Sequence, residues 1–254
     1  MDNSFQFSFI IQARSGSTRL PNKMNLPFYK DQTLLDIIIM QLLKQFSHSQ
    51  IILATTNHQK DDSIVETGNK YKVKIYRGDE DNVLNRFIEA ATFFKVENII
   101  RVCADNPFII NEFIQQLIYK FTSQPVDYLS FQTHDLTPSI KTHFGFFTEI
   151  TTLKTLTAVS KQTQDKLYIE HVTNYIYANP QIYSLKFEPI PVEIEKANIR
   201  LTVDTLDDFN VCKQIYSHLI TTNSEISPKN IIKFIENNDY LKEVMLNQIN
   251  LNKK

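Results

Sequence analysis

Apolar residues along this chain fall into two alternating patterns. Short, nearly continuous apolar runs stop at polar residues, and longer stretches between them repeat apolar positions every three or four residues. The runs "FSFIIQA" (7–13), "QIILATT" (50–56), "VKIYRG" (73–78) and "NIIRVCAD" (98–105) predict buried strands. Gly78 stops the third, and Asn106-Pro107 breaks the fourth. The stretch 32–46 is apolar almost all round and predicts a packed helix with Thr33 as N-cap. Segments 61–71, 81–95 and 111–122 predict three more helices, the second through Val83, Leu84, Phe87, Ala91 and Phe94. Strand and helix alternating at this spacing predict an α/β fold with a mostly parallel sheet and right-handed crossovers. Ligands of such sheets bind beyond the carboxyl ends of the strands. "ARSGSTR", "RGDEDN" and "ADNP" fall at such ends.

From 126 to 203 the pattern lengthens and alternates. "VDYLSFQ", "KTHFGFFTEI" and "IYSLKFEPIPV" predict antiparallel strands, one set forming a projecting arm. A helix is predicted over 165–180, a strand over 198–205, and helices over 206–220 and 227–249. No repeat or composition break divides the chain, so 1–254 reads as one domain with an insertion at about 126–190.

Composition narrows the function classes. A net charge of −1 argues against a bulk polyanion partner such as nucleic acid, but leaves a small anionic ligand open. No apolar run approaches the ~20 residues of a membrane span. The N-terminus shows no basic region and no cleavage site, so no signal peptide is expected. Cys103 and Cys212 sit in apolar segments and read as reduced core thiols of a cytoplasmic protein.

The chain has only four glycines, and one lies in "IIQARSGSTRLPNKM" (10–24), among Arg14, Arg19, Lys23 and three hydroxyls. A turn after a strand exposes backbone N–H groups, and Gly16 permits close approach or a positive φ. Arginine can grip a phosphate with two donors, and lysine adds a point charge. That set suits a triphosphate, although a polar loop with solvated cations has the same composition. The glycine spacing is neither that of a P-loop nor that of a dinucleotide fingerprint.

"QARSGSTRLPNKM" resembles the nucleotide-binding signature of sugar-activating cytidylyltransferases. The match is to the spore coat polysaccharide biosynthesis protein F type, whose relatives act on 3-deoxy-manno-octulosonate and acylneuraminate. "GDEDNVLNRFIEAA", "IIRVCADNPFI", "YIEHVTNYIYANP" and "RLTVDTLDDF" keep the family's order. The resemblance implies a Rossmann-like three-layer α/β/α nucleotidyltransferase fold with an inserted antiparallel arm. It implies transfer of the nucleotidyl group of CTP, or another nucleoside triphosphate, to a sugar or sugar acid. Pyrophosphate is released and a CMP-sugar enters surface polysaccharide synthesis. Arg14, Lys23 and Asp105 match catalytic positions. Gln12, Ala13, Arg14, Gly16, Ser17, Arg19, Lys23, Thr55, Thr56, Asn82 and Arg86 match the nucleotide site, Arg19 having a structural ion pair as its other reading. Asp105 and Asp204 match ligands of Mg²⁺, for which two carboxylates suffice beside phosphate and water oxygens. Glu170 and His171, with His143, are candidates for the acceptor, and the arm implies a homodimer. The acceptor half departs from the family's acidic pattern at "TPSIKTHFGFFTEI", and asparagine stands at 82 and 85, where aspartate is common in the family. Two rivals stand beside this reading. Asp79-Glu80-Asp81 has the spacing of a glycosyltransferase metal motif, and the altered acceptor half fits a non-catalytic nucleotide-binding protein.

Overall fold

The computed structural model describes residues 6–252; residues 1–5, on which part of the leader expectation rests, lie outside the described residues. Seven strands form one sheet in the order β3-β2-β1-β4-β6-β5-β7. The first four predicted strands are all present. β1 (Phe7–Gln12), β2 (Ile51–Thr56), β3 (Lys74–Gly78) and β4 (Asn98–Cys103) pair in parallel, with Gln12 between Ala54 and Cys103. The helices after them are α1 (Leu34–Leu43), α2 (Asp62–Lys70), α3 (Val83–Phe93) and α4 (Asn111–Ser123). Thr33 caps α1 as predicted: its hydroxyl accepts the Asp36 N–H, and the Asp36 carboxylate accepts the Thr33 N–H.

The second half completes the same sheet. β5 (Tyr128–Gln132) and β7 (Leu185–Pro189) pair in parallel, and β6 (Glu149–Thr152) runs antiparallel to both β4 and β5. The antiparallel portion expected at 126–190 is therefore β6, set inside the main sheet rather than standing off it. Apolar residues on β4, β5 and β6 enter the sheet cores, where their burial favours continuation of the sheet. α5 (Leu153–Gln162) follows β6. The helix expected over 165–180 is broken into α6 (Lys166–Glu170) and α7 (Asn174–Ala178), with His171 as the first helix's C-cap. The short α8 (Val192–Lys196) follows β7.

The strand expected over 198–205 does not form: Asn198 takes a positive φ, and residues 199–204 lie outside the sheet. Leu201 N–H donates to His143 O and Val203 N–H to Asp105 O, both at 2.8 Å, so the segment bridges two loops. Gly145 allows this approach: its φ is +69°, and a Cβ there would stand 2.9 Å from the Leu201 carbonyl. α9 (Leu206–Thr221) follows. The last predicted helix is divided at Asn237–Asn238 into α10 (Pro228–Glu236) and α11 (Asp239–Leu251).

Two apolar cores lie on the two faces of the sheet. One joins residues of α1, α4, α9, α10 and α11, and the other joins residues of α3, α5 and α7. This is the expected three-layer arrangement. Among the described residues no helix is long and apolar enough to cross a membrane.

Candidate active site

The loop after β1 is held from behind by one carboxylate. Asp61 is 2% exposed and accepts the Ser15 N–H at 2.8 Å, the Thr55 hydroxyl at 3.1 Å and the Thr56 hydroxyl at 2.6 Å. Burial alone would raise its pKa. The donors from Thr56, Ser15 and Thr55 outweigh burial and hold it below the ordinary 3.8. Thr55 and Thr56 were expected near the nucleobase; instead they are buried and turn their hydroxyls inward to Asp61. No sequence signal separates Asp61 from its neighbour Asp62, because both read as the start of a helix.

Gly16 does not take a positive φ. A Cβ on it would stand 3.1 Å from Glu80 Oε1, so the glycine serves close approach. Arg14 donates to Glu80 O at 3.3 Å and pairs with Glu170 at 3.5 Å. Lys23 Nζ donates to Val203 O at 2.7 Å and lies 3.8 Å from Asp105 Oδ2. The cation loop and the two aspartates therefore meet at the strand ends.

The surface there holds two adjoining cavities. One, of about 350 Å³, is lined by Gln12, Ala13, Arg14, Gly16, Ser17 and Lys23, among others. The second, of about 770 Å³, reaches Glu149, Thr148, Lys141 and Tyr177. Arg19, Arg101, Cys103, Asp105, His171 and Asp204 line both. Glu170 lines the smaller cavity. The structure thus brings together most of the predicted loop, both metal candidates and two of the three acceptor candidates.

Five predicted residues stand elsewhere. Among the described residues, the cavity walls include neither Thr55 and Thr56 nor Asn82 and Arg86. Asn82 caps α3 by accepting the Asn85 N–H at 2.9 Å. Arg86 is fully buried and donates to the carbonyls of Asp79 and Glu80, fixing the turn that faces Gly16. Burial first, and then nearby Arg14, lowers its pKa to about 10, so it stays charged at neutral pH. His143 also lines neither cavity; its Nδ1 lies 2.5 Å from Arg200 Nη1.

Arg19 takes its structural reading: Nη2 donates to Asp204 Oδ1 at 2.7 Å, while Arg200 donates to Oδ2 of the same carboxylate at 3.0 Å. Arg200 is in turn bound to buried Asp208, which also accepts the N–H groups of Asp204 and Thr205. Asp204 is thereby fixed at the rim shared by the two cavities. Asp79, of the rival acidic triplet, accepts the N–H groups of Asp81 and Asn82, and these bonds lower its pKa. Its carboxylate orders the turn before α3, and the triplet lines neither cavity among the described residues.

Sequence reasoning also passed over the floor of the larger cavity. Arg101 and Glu149 form a buried pair at 2.5 Å, and Glu149 accepts further hydrogen bonds from Thr173, at 3.0 Å, and from Tyr128. Burial opposes the Arg101 charge, but Cys103 and Glu149 outweigh it and raise its pKa. Opposite charges inside two apolar strands, "IIRVC" and "FFTEI", carried the signal of such a pair.

A cytidylyltransferase family model matches residues 8–249. An uncharacterized protein of Methanocaldococcus jannaschii is 34% identical, over 94% of this chain and 93% of its own length. The spore coat polysaccharide biosynthesis protein SpsF of Bacillus subtilis is 32% identical, over 82% of this chain and 85% of its own. Among solved structures, a cytidylyltransferase from Leptospira borgpetersenii superposes with a TM-score of 0.81 at 26% identity, covering 92% of this chain and 95% of that one. A CMP:2-keto-3-deoxy-manno-octonic acid synthetase complexed with CTP shares the fold, with a TM-score of 0.63 at 13% identity over 84% of this chain and 99% of that one. With the cation loop and both aspartates on one rim, the chain belongs to the cytidylyltransferase family and has its nucleotidyltransferase fold.

Proposed function

We infer that this nucleotidyltransferase uses CTP to activate a sugar or sugar acid as its CMP derivative. The observation that carries this reading is the shared rim. The loop cations and backbone N–H groups line the smaller cavity, and Asp105 and Asp204 stand where it adjoins the larger one. Arg14 and Lys23 would neutralise the β- and γ-phosphates, with Gly16 and Ser17 giving close backbone approach. The acceptor hydroxyl oxygen, placed in the larger cavity, attacks the α-phosphorus. The bond to the bridging oxygen breaks, pyrophosphate leaves with its electrons, and the hydroxyl proton passes to solvent. Such a step depends mainly on in-line positioning and charge neutralisation.

The residues at the rim fit Mg²⁺ unequally. Asp105 is part-buried, with Lys23 at 3.8 Å as its ion-pair partner, which suits a hard cation taking one or two carboxylates. Both oxygens of Asp204 already accept from arginines, so an ion there would share the carboxylate with Arg19 and Arg200 or displace Arg19. Among the described residues no group of three or more acidic, histidine or cysteine side chains could hold a metal ion, so phosphate and water oxygens must complete the shell. The ion would supply charge stabilisation at the α-phosphate.

Membership of the same family as SpsF supports a role in surface polysaccharide synthesis, and the absence of a disulfide among the described residues suits the cytoplasm, where CTP is made. A homodimer through 126–190 is supported by exposed Ile182 and by the edge position of β7. Gel filtration should give twice the 29.7 kDa chain mass; the monomer mass overturns the dimer. Pyrophosphate release from CTP with a panel of sugars and sugar acids tests the activity. Absence of Mg²⁺-dependent CTP binding in calorimetry removes the reading altogether.

A further inference from the structure

Each cation of the loop after β1 is paired with a carboxylate in this structure. Arg14 reaches Glu170 at 3.5 Å, Arg19 reaches Asp204 at 2.7 Å, and Lys23 stands 3.8 Å from Asp105. Asp105 and Asp204 are also the two metal candidates. The groups suited to a triphosphate and the groups suited to its counter-ion are therefore bound to each other.

The three pairs are held with unequal firmness. Lys23 Nζ also donates to the Val203 carbonyl at 2.7 Å, and its side chain is 13% exposed. Arg14 also donates to the Glu80 carbonyl, at 3.3 Å. Arg19 is held through its bond to Asp204 Oδ1, and its side chain is 54% exposed. The other oxygen of Asp204 accepts from Arg200, which is fully buried and bonded to both oxygens of Asp208. One guanidinium on Asp204 is thus fixed inside the fold, and the other comes from the solvent side.

A divalent cation on Asp204 would meet both guanidinium groups as like charges. Buried Arg200 cannot withdraw without stranding Asp208. Arg19 can withdraw, because a half-exposed ion pair is weak and a long side chain regains rotamer freedom when released. Its destination is close by. Arg19 lines the smaller cavity with Arg14, Gly16 and Lys23, as well as the larger one. A phosphate in the smaller cavity offers the guanidinium a two-donor contact in place of the carboxylate.

We propose that the Arg19–Asp204 pair is an exchange switch: Arg19 leaves Asp204 for the phosphates of the nucleotide, and the carboxylate it releases becomes available to the divalent cation. This rests on the nucleotidyl-transfer reading and adds to it an order of partners. The structural ion pair and the nucleotide contact are two positions of one side chain. Each ligand removes the group that blocks the other, so nucleotide and cation strengthen each other's binding, and by linkage the effect is reciprocal. Lys23, anchored on Val203 O, supplies the fixed charge of the clamp.

The test is a double-mutant cycle on CTP affinity, measured by calorimetry in EDTA so that no divalent cation takes part. The proteins are the wild type, Asp204→Asn, Arg19→Ala and the double variant, each checked by circular dichroism. Asp204→Asn releases Arg19 and should tighten this binding about three- to tenfold. In the Arg19→Ala background the same substitution should change it by less than about twofold, because no guanidinium is there to release. The cycle separates exchange from the general loss of a negative charge, which acts alike in both backgrounds. The reciprocal half is a Mn²⁺ titration without nucleotide, followed by water-proton relaxation. Arg19→Ala should bind Mn²⁺ at least about threefold more tightly than the wild type.

Equal tightening in both backgrounds, or tightening in neither, overturns the exchange and leaves the nucleotidyl-transfer reading standing. Unchanged Mn²⁺ affinity in Arg19→Ala overturns it as well, and this arm decides the matter even if Asp204→Asn does not fold. Absence of CTP binding by the wild type in both EDTA and Mg²⁺ overturns the nucleotide reading, and the exchange with it.

Discussion

On the nucleotide side of the cleft, the side chains that shape the loop at 13–23 are bonded to one another before any ligand arrives. Asp61 gathers Ser15, Thr55 and Thr56, while Lys23 holds Val203 O and Arg19 holds Asp204. Gln12 Oε1 and Arg86 Nε and Nη2 are the exceptions, buried and without a partner among the described residues. On the acceptor side, four residues of the cavity wall, Arg101, Asn106, Thr148 and Thr202, each keep a buried polar atom without a partner among the described residues. The contrast teaches how the two halves are specified. A triphosphate loop must hold its backbone N–H groups in place, so its own polar groups lock the loop. The acceptor wall is instead held by one buried ion pair, Arg101 with Glu149, and leaves other buried polar atoms unpaired. Preorganisation favours catalysis on the first side.

The largest expected effect lies where the two sides meet. Lys23→Ala and Asp105→Ala should each lower turnover by at least ~100-fold, the scale for groups that stabilise transition-state charge. Circular dichroism should remain that of the wild type. Near-normal turnover in either variant removes its assigned role. It would also mean that the rim is not where the halves cooperate.

Asp61→Asn tests the locked side. The amide keeps the size of the carboxylate but places an NH₂ among donors. A loss of about 2–3 kcal/mol in urea unfolding is expected, as for a buried, multiply bonded group. The KM for CTP should rise as the Ser15 N–H is released. Unchanged stability would show that the loop does not depend on this hub and would erase the contrast with Thr148 and Thr202.

The same carboxylate gives a pH signature. Its folded pKa lies below the ordinary 3.8, so its stabilisation is fully present above that value and is lost as pH falls through the lower folded value. Wild-type stability should therefore drop on acidification below about 3.8, and Asp61→Asn should show a shallower drop over the same range. Parallel curves for the two proteins would refute Asp61 as the titrating group.

The nucleotide side was also the more legible in the sequence. β1, β2 and β4 are short apolar runs buried on both faces, and their periodicity and terminators are local signals. The loop's cations were visible for the same reason. The acceptor side depends on long-range pairing. Whether "KTHFGFFTEI" forms an arm or joins the sheet is decided by Glu149 meeting Arg101, 48 positions away. Alternation alone contains no such information. Likewise 198–204 alternates like a strand, yet its N–H groups go to His143 and Asp105 instead of a neighbouring strand. Thr55, Thr56 and Arg86 could be placed at the correct strand and helix ends from sequence, but not on the correct side of the backbone. Their direction is set by Asp61 and by the carbonyls of Asp79 and Glu80.

The smallest effect concerns the ion pair between the loop cation Arg14 and α6. Arg14 reaches Glu170 at 3.5 Å, with side-chain exposures of 30% and 54%. An exposed pair of this kind contributes ~0–1 kcal/mol, so Glu170→Gln should leave urea stability within error. Its effect should appear in binding. Glu170 occupies a guanidinium that the triphosphate requires, and a carboxylate at that position also repels the incoming anion. Removing its charge should lower the KM for CTP a few-fold, most clearly at low ionic strength, and the difference should shrink as salt screens it. The acceptor KM should not move, because Glu170 lines the smaller cavity. A rise in the KM for CTP would mean that Glu170 orients Arg14 rather than competing with the phosphates. A change in the acceptor KM alone would place Glu170 on the sugar and redraw the boundary between the locked side and the open one.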